Sequence, residues 1–167
     1  MENPIFAVPI FGGRRWTAIS TASLLIPAIG IGFAVQNPET PYEIFITLAL
    51  LCGFGGGNFA SSMSNISFFY PKAQKGTALG LNAGLGNLGV SIVQLVVPLV
   101  ITAGVFGALG GEPQTVTKAG QQVPMWLQNA GFIWVPFIAV AAIAAWFGMN
   151  DLADAKASFA DQAVIFK

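Results

Sequence analysis

The placement of charge constrains this chain most. No Asp, Glu, Lys or Arg occurs in residues 16–38, 44–71, 76–111 or 119–150. A helix of about 20 apolar residues, rising about 1.5 Å per residue, crosses a bilayer, and each interval is longer than that. Water-soluble domains carry about 25% charged residues; here the share is 8%, with 54% hydrophobic residues and a mean hydropathy of +0.70. The sequence therefore predicts an all-α, polytopic membrane protein with four transmembrane helices. A formal net charge of zero excludes a polybasic nucleic-acid binder. The absence of histidine removes His-ligated metal centres and Ser-His-Asp triads. No enzyme activity, metal or cofactor is expected, and the partners are the lipid bilayer and whatever the spans enclose. Cys52, alone of its type, reads as a small apolar filler.

Turn residues divide the chain into spans at about 16–35, 42–70, 77–105 and 125–149. Trp16 anchors the first at the interface, Pro27 kinks it, Pro98 bends the third, and Pro136 falls mid-way along the fourth. Phe106 to Pro124 reads as a glycine-rich loop. Residues 1–13 lack the basic start and cleavage site of a signal peptide and look like the last turns of another membrane helix. Residues 151–167 read as a partly helical surface segment at the start of a central cytoplasmic loop. Arg14, Arg15, Lys72, Lys75, Lys156 and Lys167 all fall on one side of the membrane, against Lys118 alone on the other. By the positive-inside rule both termini are cytoplasmic, which an even number of spans requires.

Within the third span, Gly80 to Gln94 places four glycines and two asparagines in its first ten positions. An amide in hydrocarbon is costly unless it is bonded, so Asn82 and Asn87 are functional candidates. Gly84-Leu-Gly86-Asn-Leu-Gly89 matches the dinucleotide pattern G-x-G-x-x-G literally. It lacks the strand before it and the soluble βαβ unit around it that the pattern needs. Gly53 with Gly57, and Gly80 with Gly84, are G-x-x-x-G pairs, which ordinarily let helix backbones approach in lipid. Packing leaves the amides unexplained. On a helix, Gly80, Ala83, Gly84, Asn87, Ser91 and Gln94 share a face, and Asn58, Ser61, Ser62 and Asn65 form a similar stripe beside Phe59. Two such faces line a polar path, or bond one another as interhelical glue at about 0.6 to 2 kcal/mol each. Asn65-Ile-Ser67 is an accidental glycosylation sequon, since it lies at the cytoplasmic membrane boundary. No ionisable residue stands within the spans, so no proton relay is available there. The neutral donors suit a weakly hydrated anion, although a buried anion also needs a compensating positive charge.

Ala-Leu-Gly-Leu-Asn-Ala-Gly-Leu-Gly-Asn-Leu-Gly-Val-Ser, residues 78–91, closely resembles the nitrate signature of the nitrate/nitrite porter family of the major facilitator superfamily. The likeness extends to Phe11–Trp16, to Gly57–Pro71 and to Trp146–Leu152. It implies twelve helices in two six-helix halves working by alternating access. This chain corresponds to about helices three to six, part of the N-terminal half, and residues 1–167 form one partial domain. It further implies nitrate or nitrite transport across the cell inner membrane, by exchange or proton coupling. By motif position, the residues that approach the anion are Phe59, Ala83, Gly84 and Asn87, with Asn82 and Gly86 completing the candidate set. The family also uses two arginines. Met1 stands where the first falls, and the second lies beyond the chain with the remaining porter helices, so the sequence reads as a gene fragment and is expected to be inactive alone. The alternative is a non-transporting four-helix protein that packs with partner subunits.

Overall fold

The computed structural model describes residues 11–151, apart from the side chains at 68, 108 and 109. The expectations for residues 1–10 and for the surface segment at 152–167 lie outside the described residues. Among the described residues, four spans are long and apolar enough to cross a membrane: Gly13–Ala34, Tyr42–Ser67, Lys72–Val100 and Asn129–Gly148. In lipid every backbone N–H and C=O must be satisfied within the segment, which helices alone achieve without a closed barrel. The protein is thus a multi-pass membrane protein, mostly helical. Large apolar side chains such as Phe33, Leu50, Leu95 and Phe147 are exposed along the spans, because the solvent there is hydrocarbon.

Three of the spans are broken. The first comprises α1 (Gly13–Ser23) and α2 (Leu25–Ala34), the second α3 (Tyr42–Gly56) and α4 (Asn58–Phe69), and the fourth α6 (Asn129–Phe132) and α7 (Val135–Gly148). The third is the single helix α5 (Lys72–Val100). Pro27 has no N–H to offer the Ser23 carbonyl, and the ladder tightens one turn before it, where the Leu24 N–H donates to the Thr21 carbonyl at 3.1 Å. Gly57 separates α3 from α4 within a run of glycines. Pro136 lies at the start of α7, where the missing N–H is tolerated, and so marks a helix start inside the fourth span. α5 begins at Lys72, directly after Pro71, and carries Pro98 two residues before its end.

The first span is the centre of the bundle, with the second packed on one side and the fourth on the other. Glycines make the close approaches. A methyl group at Gly131 would strike the Ala28 carbonyl, one at Gly32 the ring of Phe132, one at Gly30 the side chain of Leu48, and one at Gly55 that of Leu24. Phe33 and Phe132 meet edge to face at 5.3 Å. None of these glycines belongs to the pairs that the sequence pattern singled out. Above Gly53, Gly80 and Gly84 there is open space, and Gly57 touches only its own helix. At one membrane face the Asp151 carboxylate accepts the Arg14 backbone N–H at 2.8 Å and lies 3.9 Å from the Arg14 guanidinium. It thereby ties the start of the first span to the residue beyond the fourth and satisfies one orphan donor of α1.

The loop after α5 is more ordered than its composition suggests. β1 (Gln114–Lys118) and β2 (Gln121–Met125) form an antiparallel hairpin that pairs Val116 with Val123 and Lys118 with Gln121. Its two-residue turn, Ala119-Gly120, has positive φ at both positions, the twist that matches a hairpin. This is why the fourth span begins at Asn129 rather than near Met125: the backbone at 121–125 is already committed to the ladder.

Candidate functional site

The candidate residues sit on α4 and α5, which pack against each other. At about 100° per residue, the candidates on α5 do not share one face. Asn82 and Gly86 lie about 40° apart, Ala83 and Asn87 lie on the flank, and Gly84 points away from Asn82. The structure divides them accordingly. The Asn82 amide donates to Ser62 Oγ at 3.2 Å and approaches Met63 Sδ at 3.3 Å, while the Ser62 hydroxyl donates to the Phe59 carbonyl at 2.8 Å. Asn82 therefore holds α5 to α4.

Asn87 lies five residues, about 7.5 Å, further along the axis. It is exposed, and its side chain makes no hydrogen bond among the described residues. Among the described residues, Gly80, Gly84, Gly86 and Gly89 have nothing within 4 Å of an added methyl group, and Ala83 is half-buried. Phe59 on α4 is 53% exposed. No hydrogen bond or ring contact joins it to Asn87 among the described residues. In the α4 stripe Ser61 is buried, Asn65 abuts Gly13, and the shielded Asn58 Oδ1 finds no donor among the described residues. The stripe thus splits as well, one edge towards the first span and the other towards α5.

The uncovered part offers a primary amide with two free N–H donors, a bare glycine backbone and a phenyl face, all well inside the spans and without charge. Such a surface can donate hydrogen bonds to a small flat anion, but it cannot neutralise one.

A second polar cluster went unread in the sequence. Gln128 and Asn129 are both 0% exposed. Gln128 donates to the Gly110 and Glu112 carbonyls at 2.8 and 3.1 Å, and Asn129 to those of Val100 and Ala103 at 2.9 and 3.0 Å. Gln114 Oε1 accepts the Leu127 N–H at 3.0 Å. The Asn129 bonds satisfy carbonyls left over where α5 ends, and those of Gln128 and Gln114 fasten the loop and hairpin to the start of the fourth span. The available signal was two adjacent carboxamides just after an interfacial tryptophan, Trp126.

No family model matches the chain. Individual relatives do. It is 63% identical over 159 residues to the nitrate/nitrite transporter NarU of Escherichia coli (strain K12), an alignment covering 94% of this chain and 33% of that protein. It is 50% identical over 163 residues to the probable nitrate/nitrite antiporter NarK2 of Thermus thermophilus, covering 97% and 37% respectively. A more distant likeness, 28% identity over 138 residues, joins it to the high-affinity nitrate transporter 2.3 of Oryza sativa subsp. japonica, covering 83% of this chain and 24% of that protein. The chain spans about a third of the length of the NarU and NarK2 relatives. Along nearly all of its own length, this chain belongs to the nitrate/nitrite porter family.

Proposed function

We propose that these four spans form the part of a nitrate/nitrite porter that presents hydrogen-bond donors to the anion. Asn87, Gly84 and Ala83 of α5 and Phe59 of α4 form the contact face, and Asn82, with Gly86 about 40° from it on the same side, holds that face in register against α4. The observation that carries this reading is the uncovered face itself. Asn87 is an unpartnered amide in mid-span, beside glycines that touch no helix, in a family whose members are named for nitrate and nitrite. A glycine inside a helix costs about 1 kcal/mol relative to alanine, so these four, which meet no neighbour among the described residues of a chain a third as long as its relatives, have a role beyond packing within these spans. Close backbone approach by a ligand supplies one.

The anion's charge is balanced by cations that these spans do not carry. Transport therefore belongs to a chain of the relatives' length, and residues 1–167 alone do not move nitrate. The distribution of basic residues supports a cell inner membrane location with both termini cytoplasmic. Packing remains the better account of one residue, Asn82, whose amide is already bonded to Ser62.

Two measurements test this. In a full-length relative, alanine at the position aligned with Asn87 lowers nitrate uptake while leaving insertion and expression unchanged. Loss of insertion with normal uptake per inserted molecule would support the packing alternative. Liposomes carrying only residues 1–167 take up no more nitrate than empty vesicles. Uptake above that level refutes the need for an added cation.

A further inference from the structure

Away from the α4–α5 face, the first and fourth spans enclose a groove of about 340 Å³ on the outer surface of the bundle. Its floor is Ala18, Ala22 and Ala142, its walls are Ile19 and Ile143, and Trp146 stands at its mouth. The alanines let the two spans approach, and the larger residues leave a furrow between them. Ile19 is 56% and Ile143 58% exposed, although both are fully apolar. The bare glycines and the free amide that suit a helix or an anion lie on the third span instead.

The charge at the mouth is specific. Arg15, Ile19 and Ala22 follow at i, i+4 and i+7, so Arg15 stands over the end of the groove. Arg14 places that end at the membrane surface, because its guanidinium lies 5.9 Å from the centre of the Trp146 ring. The two arginines differ in their partners. Arg14 is engaged by Asp151, whereas Arg15 is exposed and has no carboxylate within salt-bridge distance among the described residues.

From this geometry we infer that the groove is a binding site for an anionic phospholipid. One acyl chain lies along Ala18, Ala22 and Ala142, the indole of Trp146 sits at the glycerol level, and Arg15 meets the headgroup. An acyl chain fits a shallow, open furrow flanked by branched and aromatic apolar side chains. A packed helix would need small residues along the rim. An anionic headgroup, rather than a zwitterionic one, answers an arginine without a counter-charge. The site is separate from the α4–α5 face and holds whether or not that face binds nitrate.

The test uses the full chain in phosphatidylcholine vesicles with increasing fractions of brominated phosphatidylglycerol or, separately, brominated phosphatidylcholine. Tryptophan fluorescence is read, and the difference between wild type and Trp146→Phe isolates the indole at the mouth. Half-quenching is expected at about a fivefold lower fraction of the anionic lipid, the share that one arginine near an anionic surface contributes. Arg15→Gln removes that preference and Arg15→Lys keeps it. In wild type, with no substitution at Arg15, 1 M salt also weakens it. Equal quenching by the two lipids, a preference that survives Arg15→Gln, or no quenching of Trp146 by either because a second helix covers the groove, each overturns the inference.

Discussion

Gly131, near the start of the fourth span, and Gly84, mid-way along the third, are given opposite roles by the structure that one substitution separates. A methyl group at Gly131 strikes the backbone carbonyl of Ala28 and comes within 3.1 Å of the Gly32 nitrogen. Neither is a flexible side-chain end that can swing away, so the first and fourth spans must move apart. Overpacking of this kind costs about 1–3 kcal/mol, about 5- to 150-fold in the ratio of packed to separated bundle. A methyl group at Gly84 meets nothing within 4 Å. There alanine gains about 1 kcal/mol of helix propensity and leaves bundle stability unchanged or slightly raised. The assay is reversible unfolding of the purified chain in mixed micelles of rising SDS fraction, followed by near-UV circular dichroism of the four tryptophans. Gly131→Ala shifts the midpoint to lower SDS, and Gly84→Ala does not. Equal midpoints for Gly131→Ala and wild type would refute the close approach of the two spans. A large loss at Gly84→Ala would show that the third span's glycines pack after all.

Other substitutions bear on the remaining contacts. Asn82→Ala removes the bonds to Ser62 and Met63 and lowers stability by about 0.6 kcal/mol, as single interhelical bonds in membranes do; the same SDS titration reads it. Asn129→Ala strands the Val100 carbonyl, at about 1–3 kcal/mol, while that of Ala103 keeps the Val105 N–H. Hydrogen exchange accelerates first at the C-terminal end of α5, which Asn129 helps to hold. Asp151→Ala removes the acceptor of the Arg14 N–H and costs about 0.5–2 kcal/mol, the range for losing a helix cap. Asp151→Asn keeps an acceptor oxygen and loses less.

The four spans were legible because lipid leaves the backbone no alternative: an uncharged run of that length must be helix or leave its amides unsatisfied. The candidate residues came from likeness to a known signature, and the cost of an amide in hydrocarbon placed Asn82 and Asn87 in one category although helical spacing put Asn87 alone on the small-residue face. The structure separates them because five residues turn a helix through about 140° beyond a full turn, which sends one amide to Ser62 and leaves the other open. The glycine pairs misled for a related reason. Spacing shows which glycines share a face but not which face has a neighbour, and the neighbours proved to be at Gly30, Gly32, Gly55 and Gly131. The hairpin was hidden by its glycines and by Pro124, which sits opposite Thr115 in an isolated two-stranded ladder where a missing N–H is tolerated. The Gln128–Asn129 latch depends on carbonyls at the end of α5, and no local pattern records where another helix ends.

Whether the third span turns its free amide to water and anion or to another helix is settled most directly by thiol chemistry at position 87. The chain's numbering is carried onto a full-length relative, cysteine replaces the residue aligned with Asn87, and any exposed native thiol such as that at Cys52 is replaced by alanine. The rate of reaction with a small water-soluble methanethiosulfonate is then measured in membranes. The thiol is expected to react from the aqueous phase, with nitrate slowing it and an equal concentration of chloride not doing so. An inert thiol, or one whose rate ignores nitrate, would place that side chain against a neighbouring helix and contradict the proposed contact with the anion.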